Sequence, residues 1–140
     1  MTLHYIDVFP SALKQVAGAP KTLGEQPYIH SSSIIFDSHL GSWTDIGPNC
    51  SIVESTFDDY SYMAGDADII YAKVGKFCSI ASHVRINPGN HPMERVTQHH
   101  MTYRRKEYGF DDHDDEAFFD WRRSFQCNIG PRAKMAVKNN

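Results

Sequence analysis

The sequence predicts an all-β fold, a parallel β-helix built as a solenoid of six-residue repeats and broken by one long loop excursion. Three observations carry this. Aliphatic side chains recur every six residues, small residues fill two further positions of the same period, and the rhythm fails over one continuous stretch. Stepping by six from Ile34 lands on Leu40, Ile46, Ile52, Asp58, Ala64 and Ile70; after a shortening of two residues it continues at Val74, Ile80 and Ile86. Eight of these ten positions hold Ile, Leu or Val, types that fill 22 of the 140 positions of the chain. Chance would give about one or two.

The remaining positions of the hexad agree. One residue after the aliphatic stand Gly41, Gly47, Gly65, Gly75 and Ala81, small enough for a tight corner. Four residues after it stand Ser38, Thr44, Cys50, Thr56, Cys78 and Val84, which suit a narrow interior. Ile35, Asp58, Tyr62 and Tyr71 break the pattern. A period of six matches neither the 3.6 residues of a helical turn nor the alternation of a simple strand. It matches a short flat strand plus a corner, three such units to a coil. A β-sandwich with evenly spaced strands is the alternative, but its turns recur at about 8–12 residues.

Taken in order, residues 1–33 form a lead-in rich in Pro and Gly, with a short helix near Ser11 to Val16. Residues 34–90 form about three coils, with Leu40, Ile46, Ile52, Val74, Ile80 and Ile86 inward. Residues 91–128 form the excursion, whose length marks it as functional or disordered and whose aromatic content argues against disorder. Residues 129–140, from Ile129-Gly-Pro-Arg-Ala-Lys onward, start a further, incomplete coil.

Composition narrows the function. Fourteen Lys and Arg against seventeen Asp and Glu give a formal charge of −3, without the basic excess that phosphate contacts demand. No apolar run approaches the roughly 20 residues of a membrane span, and Met1 to Asp7 lack the basic and apolar segments of a secretory signal. A cytoplasmic protein with no nucleic-acid or membrane partner is expected. Cys50, Cys78 and Cys127 are odd in number and widely spaced, which fits neither a disulfide framework nor a zinc site.

The segments Leu40-Gly-Ser-Trp-Thr-Asp, Ile46-Gly-Pro-Asn-Cys-Ser and Val74-Gly-Lys-Phe-Cys-Ser-Ile-Ala-Ser-His-Val resemble the hexapeptide-repeat acyltransferases. That resemblance implies a left-handed parallel β-helix, a hand that pattern reasoning alone would not choose. Gly75-Lys-Phe-Cys-Ser-Ile-Ala followed by Asn90-His91 resembles the xenobiotic (streptogramin and chloramphenicol) acetyltransferase subgroup. The excursion, with His91-Pro-Met-Glu-Arg, His99-His-Met-Thr-Tyr-Arg and Asp115-Glu-Ala-Phe-Phe-Asp-Trp-Arg-Arg, resembles acetyltransferase-like proteins encoded with phosphonate-metabolism genes. The resemblance implies acetyl-CoA as donor substrate, a homotrimer with sites between subunits, and His91 as the catalytic histidine.

The chemistry is compatible. Acetyl transfer to a hydroxyl needs a base for the attacking oxygen, and histidine titrates near neutral pH. Asn90, Arg104 and Arg105 are candidate substrate-binding residues; with Arg95, Arg122 and Arg123, the two arginines could supply bidentate contacts to an anionic acceptor. A metal site at Asn90, His91, His99 and His100 is conceivable, but no carboxylate or cysteine stands at recognisable spacing, so no metal is expected. The acidic run from Asp111 to Glu116 reads as a solvated face or a partner for Arg104, Arg105, Arg122 and Arg123. At most two weak hexads follow Asn128, where the family's later coils bind coenzyme A. Two functions therefore follow from the sequence: an acetyl-CoA-dependent O-acetyltransferase acting on a small hydroxyl-bearing acceptor, or a non-catalytic β-helix serving in assembly or ligand binding.

Overall fold

A computed structural model describes residues 21–135 of the chain; the helix expected near Ser11 to Val16 lies outside them. The chain winds as a left-handed parallel β-helix whose three sides are three parallel sheets. The first sheet holds β1 (Tyr28–Ile29), β4 (Asp45–Ile46), β7 (Tyr62–Met63), β10 (Ser79–Ile80) and β13 (Lys134–Met135). The second holds β2 (Ile34–Phe36), β5 (Ser51–Val53), β8 (Asp68–Ile70) and β11 (Arg85–Ile86). The third holds β3 (His39–Leu40), β6 (Thr56–Phe57), β9 (Ala72–Val74) and β12 (Cys127–Ile129). Residues 34–90 supply about three coils, and the first strand, β1, lies inside the segment expected as lead-in.

The register corrects the repeat length. Tyr28 pairs with Asp45, Asp45 with Tyr62 and Tyr62 with Ser79, so equivalent residues lie 17 apart. Each coil is two hexads and a pentad. The inward column therefore runs Ile35, Leu40, Ile46, Ile52, Phe57, Met63, Ile69, Val74, Ile80 and Ile86. Ile34, Asp58, Ala64 and Ile70 are outside the core, because the expected two-residue shortening is a one-residue shortening taken once in every coil. For the same reason Ser55 is buried and Thr56 faces solvent. The pentad always falls at the corner between the second and third sheets.

Corners place ordinary residues at positive φ: Asn49, Asp66 and His83 at the first, Asp37, Glu54 and Tyr71 at the second, Trp43, Tyr60 and Phe77 at the third. Asn, Asp and His tolerate this conformation best. The aromatic corner is offset by stacking: centroids lie 6.2 Å apart for Trp43–Tyr60 and 5.0 Å for Tyr60–Phe77, with rings almost parallel. Gly47 is required at its corner, since a Cβ there would run into the Ala64 carbonyl. Serines bracket successive coils. The Ser61 hydroxyl donates to the Gly75 carbonyl at 2.7 Å and accepts from the Cys78 amide at 2.9 Å.

The excursion leaves from the pentad corner after β11 and returns at β12, so that Ile129 lands on Val74 and Met135 on Ile80. It is more than a loop. Two 3-10 turns, His100–Thr102 and Lys106–Tyr108, precede an α-helix, α1 (Glu116–Ser124). Tyr103 and Phe118 are buried in it, with ring centroids 4.1 Å apart. No helix among the described residues is long and apolar enough to cross a membrane.

Candidate functional site

His91 stands near the start of the excursion, where the regular corner gives way. Its backbone is fixed from both sides. The Arg122 guanidinium donates through Nε to the Asn90 carbonyl at 2.7 Å, and Pro92 is buried. Arg122 also lies against Gly89, whose φ of 84° suits glycine, and its other side donates to the Tyr103 hydroxyl at 2.9 Å. The imidazole itself is exposed and forms no hydrogen bond with the described residues. Upstream, the Asn87 amide closes the neck of the excursion by donating to the Tyr71 and Phe125 carbonyls, each at 3.0 Å. The residues just after His91 present uncovered apolar surface: Met93 is 80% exposed and Val96 fully so.

The arginines are committed within the excursion. Arg104 pairs with Glu107 at 3.2 Å and lies over the Phe119 ring. Arg105 meets Asp115 at 3.4 Å and Asp111 at 3.9 Å. Arg95 donates to Asp115 at 2.7 Å and to the Thr102 carbonyl at 2.6 Å. Asp115 is the hub, since it also caps α1 by accepting from the Phe118 amide at 3.1 Å. Partial burial works against its charge, yet the Arg95 hydrogen bond, the Phe118 amide and the nearby Arg105 hold its pKa below the usual carboxylate value. The acidic run thus serves Arg105 through Asp111 and Asp115, while Arg122 and Arg123 find partners elsewhere. Among the described residues, neither Arg104 nor Arg105 hydrogen-bonds to His91 or Asn90; their partners are Glu107, Asp111, Asp115 and Thr102.

His99 and His100 form a separate group. Their rings lie 4.6 Å apart, and His100 Nε2 is 2.8 Å from the Tyr108 hydroxyl. Among the described residues no three His, Cys, Asp or Glu side chains converge as metal ligands would. Cys50 and Cys78 are buried and unpaired, and burial pushes the Cys50 thiol up, which suits a core residue better than a nucleophile.

A second feature was not foreseen. Where the end of α1 approaches the pentad corner, a cleft of about 540 Å³ opens, bordered by Asp37, His39, Glu54, Tyr71, Arg123 and Gln126. Arg123 donates to Glu54 at 2.9 Å and to Asp120 at 2.8 Å, the first of these joining the excursion to the coils. Burial, and then the Glu54 carboxylate, push the Tyr71 hydroxyl up, so it stays protonated at neutral pH. The cleft shares His39 and Thr56 with a second one of about 440 Å³ lined by Lys73, Val74, Gly75 and Ile129. Only the 17-residue spacing of Asp37, Glu54 and Tyr71 could have announced it, and a six-residue period hides that spacing.

No family model, no curated protein and no solved structure matches the chain.

Proposed function

We propose that the protein is an acetyl-CoA-dependent O-acetyltransferase of the hexapeptide-repeat kind, acting on a small hydroxyl-bearing acceptor in the cytoplasm. The observation that carries this reading is the setting of His91: an exposed imidazole on a backbone fixed by Arg122 and Pro92, where a β-helix coil is interrupted. In the reaction His91 takes the proton of the acceptor hydroxyl as its oxygen attacks the thioester carbonyl. The carbon–sulfur bond then breaks, the proton passes to the departing thiolate, and an acetyl ester and free coenzyme A leave.

Among the described residues, His91 lines neither the cleft at the end of α1 nor the one beside Val74 and Gly75. That position supports a site in which donor and acceptor are held against His91 by the surface of another copy. Exposed Met93 and Val96 beside His91, and Ile34 and Phe36 on the second sheet, are apolar surface suited to such contacts. A homotrimer, the closed assembly this reading requires, sediments at about three times 15.9 kDa at micromolar concentration. The arm of the donor has a candidate seat in the 440 Å³ cleft, whose lining joins apolar Val74 and Ile129 to the glycines Gly75 and Gly130.

The test is direct. Acetyl-CoA raises the melting temperature in proportion to its occupancy, and a panel of alcohols, sugars and hydroxylated antibiotics releases thiol from it. Absence of both a thermal shift and thiol release favours the non-catalytic β-helix instead.

A further inference from the structure

We infer that the cleft at the pentad corner is a binding site for a small neutral polyhydroxylated molecule, a saccharide of one or two rings. The argument begins with which of its groups are already in use. The Ser38 and Ser55 hydroxyls donate to the Phe36 and Val53 carbonyls at 2.8 and 2.7 Å, so they hold the corner together. Tyr71 is 5% exposed and faces Glu54, and Arg123 is shared between Glu54 and Asp120. These groups build the wall.

Four other residues border the same concavity, and their side chains make no hydrogen bond with the described residues: Asp37, His39, Thr56 and Gln126. They include a carboxylate that only accepts, an amide that does both, a hydroxyl and an imidazole. Such a mixed set, converging on one volume of about 540 Å³, matches the alternating donors and acceptors of vicinal hydroxyls.

Charge excludes the nearest competitors. Asp37 and Glu54 line the cleft with a single guanidinium, that of Arg123, which is already paired with Glu54 and Asp120. The lining therefore carries no surplus arginine or lysine charge for a phosphate or carboxylate. The Asp37 carboxylate, without an ion-pair partner among the described residues, repels an anion. An apolar ligand would strand four polar groups without partners, which each carries a desolvation cost. The floor is stiff, because Asp37, Glu54 and Tyr71 are fixed at positive φ by the coil register, and little ordering is left for a ligand to impose. His91 does not border this cleft, so its occupation and acetyl transfer are separate measurements.

The experiment is titration of the full chain, followed by calorimetry and ligand-observed NMR, with glucose, N-acetylglucosamine and sucrose as neutral probes and glucuronate and glucose 6-phosphate as anionic ones. At least one neutral sugar saturates with a dissociation constant of about 10 mM or tighter, and its anionic counterpart binds at least about fivefold more weakly. His39→Ala, Thr56→Val and Gln126→Ala each weaken the neutral sugar by about three- to tenfold, with unchanged melting temperature. Asp112→Ala, at an exposed position of the excursion that does not line this cleft, leaves it unchanged. The inference is overturned if no neutral sugar saturates, if an anionic sugar binds more tightly, or if the three cleft variants bind as the parent does.

Discussion

The coils and the excursion are built on different physics. In the coils a column of aliphatic and aromatic side chains is almost wholly withdrawn from water, and backbone hydrogen bonds run from each coil to the next. In the excursion only Tyr103, Phe118 and Pro92 are buried; the segment is held by arginines lying over rings and gripping carboxylates and carbonyls. Burial of an apolar column is non-directional and large, so it sets the fold. Ion pairs near the surface are individually weak, and a segment that rests on a network of them opens locally without unfolding the rest. The rigid part thus positions the neck at Asn87, and the softer part presents His91.

That contrast can be broken most severely in the coils. Ile80→Asp places an unpaired charge in the fully buried column and leaves the chain unfolded by circular dichroism, whereas Phe110→Asp, at a site 63% exposed, melts as the parent does. The next effect sharpens the repeat. Phe57→Ala costs about 3–5 kcal/mol in denaturant unfolding because Phe57 is wholly buried, while Asp58→Ala stays within about 0.5 kcal/mol. A strict six-residue period demands the reverse order.

The smallest effect belongs to the excursion. Asp115→Ala removes the α1 cap and the shared partner of Arg95 and Arg105, a loss of about 1–3 kcal/mol confined to that segment. Amide exchange accelerates through 116–124 and stays unchanged at Ile46 and Ile80. Acid does the same to the parent. Because the folded pKa of Asp115 is depressed, its contribution is complete above the ordinary value of 3.8 and disappears as pH falls through the lower folded value. Trp121 fluorescence therefore changes only below that ordinary value.

How much was legible follows from the same contrast. Leu40, Ile46, Ile52, Val74, Ile80 and Ile86 could be read directly, because a repeating core writes its period into the chain. The 17-residue coil was blurred by Ile34 and Ile70, aliphatic residues beside the true inward Ile35 and Ile69 that let a six-residue stepping run on uncorrected. Phe57 and Met63 were missed since neither belongs to the aliphatic types that define the column. In the excursion there is no period to read. Its contacts join residues far apart in sequence, such as Arg123 to Glu54 and Arg122 to Asn90, and nothing in the local sequence names the partner. The cleft depends on both regions at once and was invisible from either.

The claim that the interrupted coil exists to present a base is tested by comparing three histidine variants. Thiol release from acetyl-CoA is followed with an acceptor that the parent protein uses, in His91→Ala, His99→Ala and His100→Ala, each shown to melt as the parent does. The account predicts a loss of about 10²–10⁴-fold in His91→Ala alone, with His99→Ala and His100→Ala close to the parent rate. A parent-like rate in His91→Ala, or an equal loss in all three, contradicts it.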